Sequence, residues 1–305
     1  MNLKFFTGIF LALAFVACDE DETKEPETTD TAPNVIGMNF LKSTQSFDET
    51  YAVLKASLEA NDNIKIVAEV DHAANAASVG LELNPTKIIF FGNPNLGTPL
   101  MQVNQQAGLD LPQRILVYQN DSEEVYVGYN STVYLANRHT LGDVSTLSAI
   151  AGALKNLSEN AGVEEVTEQP SEVIADYNVF TVASPETFDA TYEGIMSVID
   201  ENPNLKIVAE LDHQANAANV ELELLPTKVI IFGNPKLGTP LMQDKQTSAL
   251  DLPQKILVYQ NSEGGVKIAF NSPELFMSRH GVTDNDATLE TILAALQGIA
   301  TSINQ

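Results

Sequence analysis

The stretch Phe232-Gly233-Asn234-Pro235-Lys236-Leu237-Gly238-Thr239-Pro240-Leu241-Met242-Gln243 occurs a second time, as Phe91-Gly92-Asn93-Pro94-Asn95-Leu96-Gly97-Thr98-Pro99-Leu100-Met101-Gln102. With these two copies aligned, the rest of the chain falls into register. Phe47 matches Phe188, Asp71 matches Asp212 and His139 matches His280, each pair 141 residues apart (188 − 47). Roughly 55 to 60% of the aligned positions are identical, and so long a period marks a duplicated domain rather than a solenoid. The reading places a first repeat over residues 35–160 and a second over 171–305. The acidic segment Ala161 to Pro170 is the linker between them.

The second copy shows the element order. Val179 to Ala183 reads as a strand, and Ser184-Pro185 opens a helix over 185–202 with Phe188, Tyr192, Ile195, Met196 and Ile199 at helical spacing. Leu205 to Leu211 alternates as a half-buried strand, and Asp212 opens an Ala-rich helix over 213–220. Lys228 to Phe232 is a continuous apolar run, a central strand that leads into the quoted stretch. Thr239 caps a helix predicted from Pro240 to about Ala249. Two strands, Gln254 to Tyr259 and Val266 to Phe270, form a hairpin about Gly264-Gly265. A helix closing at Gly281 follows, then an amphipathic helix over 286–303. Strands and helices in this order make an α+β fold.

Composition narrows the function classes. With 41 acidic and 16 basic residues the net charge is -25, which repels phosphate backbones and argues against a nucleic-acid partner. The single cysteine, Cys18, excludes an intrachain disulfide. It follows Lys4, an apolar run from Phe5 to Val16, and Ala17. That run is too short to span a bilayer, and with Phe15-Val16-Ala17-Cys18 it resembles a bacterial lipoprotein signal over residues 1–17. Cys18 would then carry the lipid. Asp19 to Glu22 resembles the acidic export signal of surface lipoproteins in the Bacteroidota. This address implies a membrane partner through the anchor, in the cell envelope, at the outer membrane and exposed at the surface. Residues 18–34 form an acidic tether without apolar period.

The quoted stretch resembles a family motif together with three others. These are Asp-His before the Ala-rich helix, Asp-Leu-Pro before Leu-Val-Tyr, and the closing Arg-His, all present in both repeats. Together they are similar to the bacterial and archaeal family called domain of unknown function 302, across nearly all of the chain that follows the tether. The resemblance implies a TATA-binding-protein-like α+β fold, a curved antiparallel sheet with helices on one face. It further implies that the two repeats pair as a dimer would, within one chain.

Candidate site residues fall at element junctions, where binding residues concentrate. Asp71-His72 and Asp212-His213 read either as an N-cap followed by the first helical residue or as a carboxylate with a ligand-binding histidine. In the quoted stretch Gly92, Asn93, Gly97 and Thr98, with Gly233, Asn234, Gly238 and Thr239, read as a tight turn and a capped helix. The same geometry offers free amides to a small anion. No nucleotide fingerprint accompanies it. Met101 and Met242 are core filler or, with histidine, soft-metal or haem ligands. Arg138-His139 and Arg279-His280 either complement a helix dipole or contact a ligand. No zinc spacing and no nucleophile elbow is present. The expectation is a binding or interaction module without a predicted cofactor, metal or haem staying open, with a cleft inside each copy. An enzyme using His213 as acid and base, and a purely structural pair, are the rivals.

Overall fold

The computed structural model describes residues 33–161, 163–165 and 173–304. The signal sequence, Cys18, the tether as far as Ala32 and most of the linker lie outside the described residues. In the first repeat the order is β1 (Met38–Ser43), α1 (Phe47–Glu59), β2 (Lys65–Asp71), α2 (His72–Ser78), β3 (Thr86–Gly92) and α3 (Pro94–Val103). A 3-10 turn at Gln105–Leu109 then leads to β4 (Gln113–Gln119), β5 (Val125–Asn130), α4 (Thr132–Arg138), α5 (Thr146–Glu159) and β6 (Val163–Glu165). The second repeat runs β7 (Val179–Ser184), α6 (Phe188–Asp200), β8 (Lys206–Asp212), α7 (His213–Ala218), β9 (Thr227–Gly233) and α8 (Pro235–Asp244). It continues through a 3-10 turn at Gln246–Asp251 to β10 (Gln254–Gln260), β11 (Val266–Asn271), α9 (Glu274–His280) and α10 (Asp286–Thr301).

Each repeat is an α+β domain built on an antiparallel sheet, ordered β2-β3-β4-β5-β1 in the first and β8-β9-β10-β11-β7 in the second. The first sheet gains β6 from the stretch read as linker, paired antiparallel to β1 with Ser43 opposite Val163. Period-2 alternation sends neighbouring side chains to opposite faces. Ile89, Phe91, Ile115 and Val117 pack with Leu54, Leu58, Ile150 and Leu154 of the helices. Ile88, Phe90, Leu116 and Tyr118 join a separate core with Leu250 and Leu257 of the second repeat. Helices therefore cover one face of the sheet and the other repeat covers the opposite one. Burying each large apolar side chain contributes about 1.5–3 kcal/mol, so the pairing face is as much a core as the helix face.

The two repeats dock with reciprocal bonds, as a two-fold dimer would. Gln102 Nε2 donates to the Glu223 carbonyl and Gln243 Nε2 to the Glu82 carbonyl, both at 2.7 Å. Gln105 donates to Thr227 Oγ1 at 2.8 Å and Gln246 to Thr86 Oγ1 at 2.7 Å.

Two helix starts differ from the sequence reading. The helix placed at Pro185 begins at Phe188, because Thr187 is the cap that receives the Ala190 amide. The helix placed at Pro240 begins at Pro235, with Asn234 as cap and Pro240 in its interior; α3 does the same with Asn93, Pro94 and Pro99. An Asn side chain can close the first turn on its own following amides. Thr98 and Thr239 are therefore interior and buried rather than caps, and Gly97 and Gly238 are helical rather than a turn.

Candidate functional site

Asp71 and Asp212 accept the amides of Ala74 and Ala215, each at 2.8 Å, which makes them N-caps of α2 and α7. The histidine that follows each cap is carried inward. His72 is 4% exposed and His213 5%, and Nε2 of both is buried without a hydrogen-bond partner.

The loops these rings reach belong to the other repeat. One pocket is walled by Phe91, Gly92, Asn93, Gly97, Thr98 and Met101 of the first repeat, with Leu211, His213 and Asn216 of the second. Its counterpart is walled by Phe232, Gly233, Asn234, Gly238, Thr239 and Met242, with Val70, His72 and Asn75 of the first. The cavities measure about 150 Å³ and about 90 Å³. Their walls are mainly apolar, and include Ile150 and Leu154 of α5 in the first and Ile292 and Leu296 of α10 in the second. Gln113 and Gln254 also line them, just after the cis Leu111–Pro112 and Leu252–Pro253 bonds. The Nε2 of each of these carboxamides is also buried without a partner, as is Thr239 Oγ1.

Burial pushes His72 and His213 down to about 4, so both rings are neutral at neutral pH. For His72 the Asp71 charge and the carbonyls of Ala249 and Leu252 oppose that shift without cancelling it.

The expected anion site at the start of α3 and α8 is filled by the chain itself. The Asn95 amide bonds Asn93 Oδ1, and the Leu96 and Gly97 amides bond the Asn93 carbonyl, all at 3.0 Å. Lys236, Leu237 and Gly238 repeat the pattern on Asn234 at the same distance. With the helix starting one turn and a half earlier than expected, its first free donors are spent on the cap.

Arg138, His139, Arg279 and His280 stand elsewhere, in a buried charged cluster between the repeats. Arg138 Nη1 and His139 Nε2 both reach Asp110 Oδ2 at 2.7 Å. Arg279 Nη1 and His280 Nε2 reach Asp251 Oδ2 at 2.7 and 2.8 Å. Each arginine then crosses to the other repeat, Arg138 to Asn271 Oδ1 at 2.8 Å and Arg279 to Asn130 Oδ1 at 2.6 Å. Arg114 lies between the two acids, with Nη2 at 3.0 Å from Asp110 and 2.6 Å from Asp251. Its counterpart in the second repeat is Lys255, also buried, and burial together with Arg114 pushes that amine down to about 7. Burial works to raise the two aspartates, but the arginines and histidines outweigh it and hold both well below the usual carboxylate range. His139 and His280 are lowered by burial, so each neutral ring donates Nε2–H to a carboxylate.

The cleft drawn inside one copy thus dissolves into two arrangements. Loop and histidine meet, but across the repeats, and the Arg-His pairs join the interface. Asp110, Asp251, Arg114, Gln113 and Gln254 were not among the sequence candidates. Their one signal was position, at or beside the repeated Asp-Leu-Pro.

Among the described residues no group of three or more His, Cys, Asp and Glu side chains could hold a metal ion, and no helix is long and apolar enough to cross a membrane. Residues 40–161 and 180–301 each match the family described as "Domain of unknown function DUF302". A protein of Brucella suis biovar 1 (strain 1330) titled "Fluoride-specific ion channel FluC 1" is 38% identical over 119 residues, 38% of this chain and 46% of that protein. A Brucella abortus biovar 1 (strain 9-941) protein of the same title matches equally, over 44% of its length. The chain spans less than half the length of these curated relatives. The crystal structure of an uncharacterized conserved protein DUF302 from Bacillus stearothermophilus is 19% identical, with a TM-score of 0.36, over 41% of this chain and 98% of that one.

Proposed function

We propose that this chain, which belongs through both of its repeats to the family described as domain of unknown function DUF302, is a small-molecule binding module of the cell envelope. One observation carries the reading. A buried histidine from each repeat lies in an apolar pocket built by the other, and its Nε2 has no partner. A buried polar group left unpaired costs about 1–3 kcal/mol, and a bound molecule would recover it. Cys18 would hold the module at the outer membrane, surface-exposed, with residues 19–34 as its tether.

Native mass spectrometry on protein purified from the envelope tests this. A bound mass on the wild type that is absent from a His72→Ala, His213→Ala variant supports the module. A clean unliganded mass, with no small molecule binding on screening, overturns it. Lipidation would add an acyl mass at Cys18, and Cys18→Ala would free the protein from the membrane fraction; a wild type already soluble and unmodified sinks the anchor.

A second reading has its own support. Met101 and His213 line one pocket and Met242 and His72 the other, a thioether and imidazole set suited to Cu(I). Metal analysis of the same preparation separates it, since copper lost with the histidines would make the module a metal carrier.

A further inference from the structure

The unpartnered groups also restrict what each pocket would take; this step rests on the binding reading above. Charge is the first filter. Among the described residues the only charged side chains on the pocket walls are Lys65 in one and Lys206 in the other, both solvent-exposed. The helix amides that could hold a carboxylate or phosphate are consumed by Asn93 and Asn234. The histidines are neutral rather than cationic at neutral pH. A buried anion would therefore be desolvated without compensation, which is prohibitive in an apolar site.

Hydrogen-bond complementarity is the second filter. A carboxamide NH2 can only donate, so the group facing Gln113 or Gln254 must accept. With its proton on Nδ1, a neutral imidazole presents Nε2 as a lone pair that needs a donor. A hydroxyl oxygen meets both demands from a single atom, accepting from the carboxamide and donating to the ring. Size is the third filter. A cavity of about 150 Å³ is the volume that takes one benzene ring. The other, at about 90 Å³, is smaller than that.

We propose that the composite pockets take an uncharged small molecule with an apolar body and one hydroxyl, held between the histidine of one repeat and the glutamine of the other. The first-repeat pocket, formed by Gln113 with His213, is the one that accommodates a full ring.

The two methionines give each pocket its own reporter. In the mature chain labelled with 13C-methyl methionine, phenol should move the Met101 signal at concentrations at least tenfold below those that move Met242. Toluene, the same body without the hydroxyl, should need at least tenfold more, and benzoate should move neither. His213→Phe should silence Met101 and spare Met242, and His72→Phe should do the reverse. That crossed dependence would not arise from a pocket confined to one repeat. Gln113→Leu keeps the test open where a histidine variant fails to fold, and it too should weaken phenol tenfold at Met101. Equal binding of toluene refutes the hydroxyl, and preference for benzoate refutes the uncharged class. Cu(I) moving both methyls while phenol moves neither overturns the proposal in favour of the metal. All three outcomes leave the binding module standing. Silence towards every probe, with a clean unliganded mass, would remove the module itself.

Discussion

The four histidines of this chain came from one duplication, yet they divide into two kinds by location. His139 and His280 each put Nε2 on a buried carboxylate, Asp110 or Asp251, that is itself shared with arginine. His72 and His213 are as deeply buried, but their Nε2 atoms have no hydrogen-bond partner. The interface cluster is close to saturated, Nδ1 of His139 and the Tyr134 hydroxyl being its unpaired atoms. The pockets keep spare hydrogen-bonding capacity on both histidines, both glutamines and Thr239. Saturated polar groups in a core specify how elements dock, whereas unsaturated ones in a cavity leave capacity that water or a ligand can complete. Position in the fold, not residue type, separates interface from pocket.

The sharpest way to break that division is to unsaturate the cluster. Asp251→Asn keeps the shape but removes the charge that Arg279, Arg114 and His280 share. Leaving buried cations unpaired costs about 3–5 kcal/mol. In thermal unfolding that corresponds to a drop on the order of 10 °C for a domain pair of this size. Asp110→Asn should behave alike, since Arg114 also serves both acids. A loss below about 1 kcal/mol for both variants would show that the cluster does not hold the repeats together.

The second test uses protons. For His72 and His213 the folded value is about 4 against an ordinary 6.5. Between those values the unfolded chain binds more protons, so stability falls as pH drops from about 6.5 and the loss is complete below about 4. Each ring accounts for about 3 kcal/mol at most. Urea unfolding at pH 7, 5 and 4 should therefore show a steep acid loss in the wild type. The double variant His72→Phe, His213→Phe should lose part of that slope, and the remainder belongs to His139 and His280, which burial also lowers, and near pH 4 to the depressed Asp110 and Asp251. An unchanged slope in the double variant would mean the pocket rings are already protonated or solvated.

Much of this arrangement could be read from the sequence. The duplicated domain, the strands, the hairpin and the α+β class followed from period and alternation, because those patterns are local, whereas the antiparallel sheet was implied by the family resemblance. The capping role of Asp71 and Asp212 was legible for the same reason. The crossing was not. A constant offset of 141 residues shows that two segments are equivalent, and it is silent on which copy a side chain faces. The central acids were hidden too, since Asp110 and Asp251 are single residues beside Leu-Pro, with partners scattered from Arg114 to Arg279.

The smallest effect concerns the helix start that the sequence misplaced. In Asn234-Pro235-Lys236-Leu237-Gly238-Thr239-Pro240, both Asn-Pro and Thr-Pro look like a cap followed by a first-turn proline. The rule that proline ends helices favours the second, because a proline five residues into a helix removes an amide. The structure takes the first. Asn234 Oδ1 receives the Lys236 amide at 3.0 Å, while Thr239 Oγ1 is buried with no partner. Removing a working cap costs about 1 kcal/mol, so Asn234→Ala should lower stability by that amount. Thr239→Val replaces an unpaired buried hydroxyl with a methyl and should be neutral or slightly stabilising. The reverse order in chemical denaturation would return the cap to Thr239, and with it the free amides an anion needs. The same valine variant sharpens the contrast between pocket and interface. If Thr239 is spare capacity held for a ligand, its loss should be invisible in unfolding and appear only in what the Met242 pocket binds.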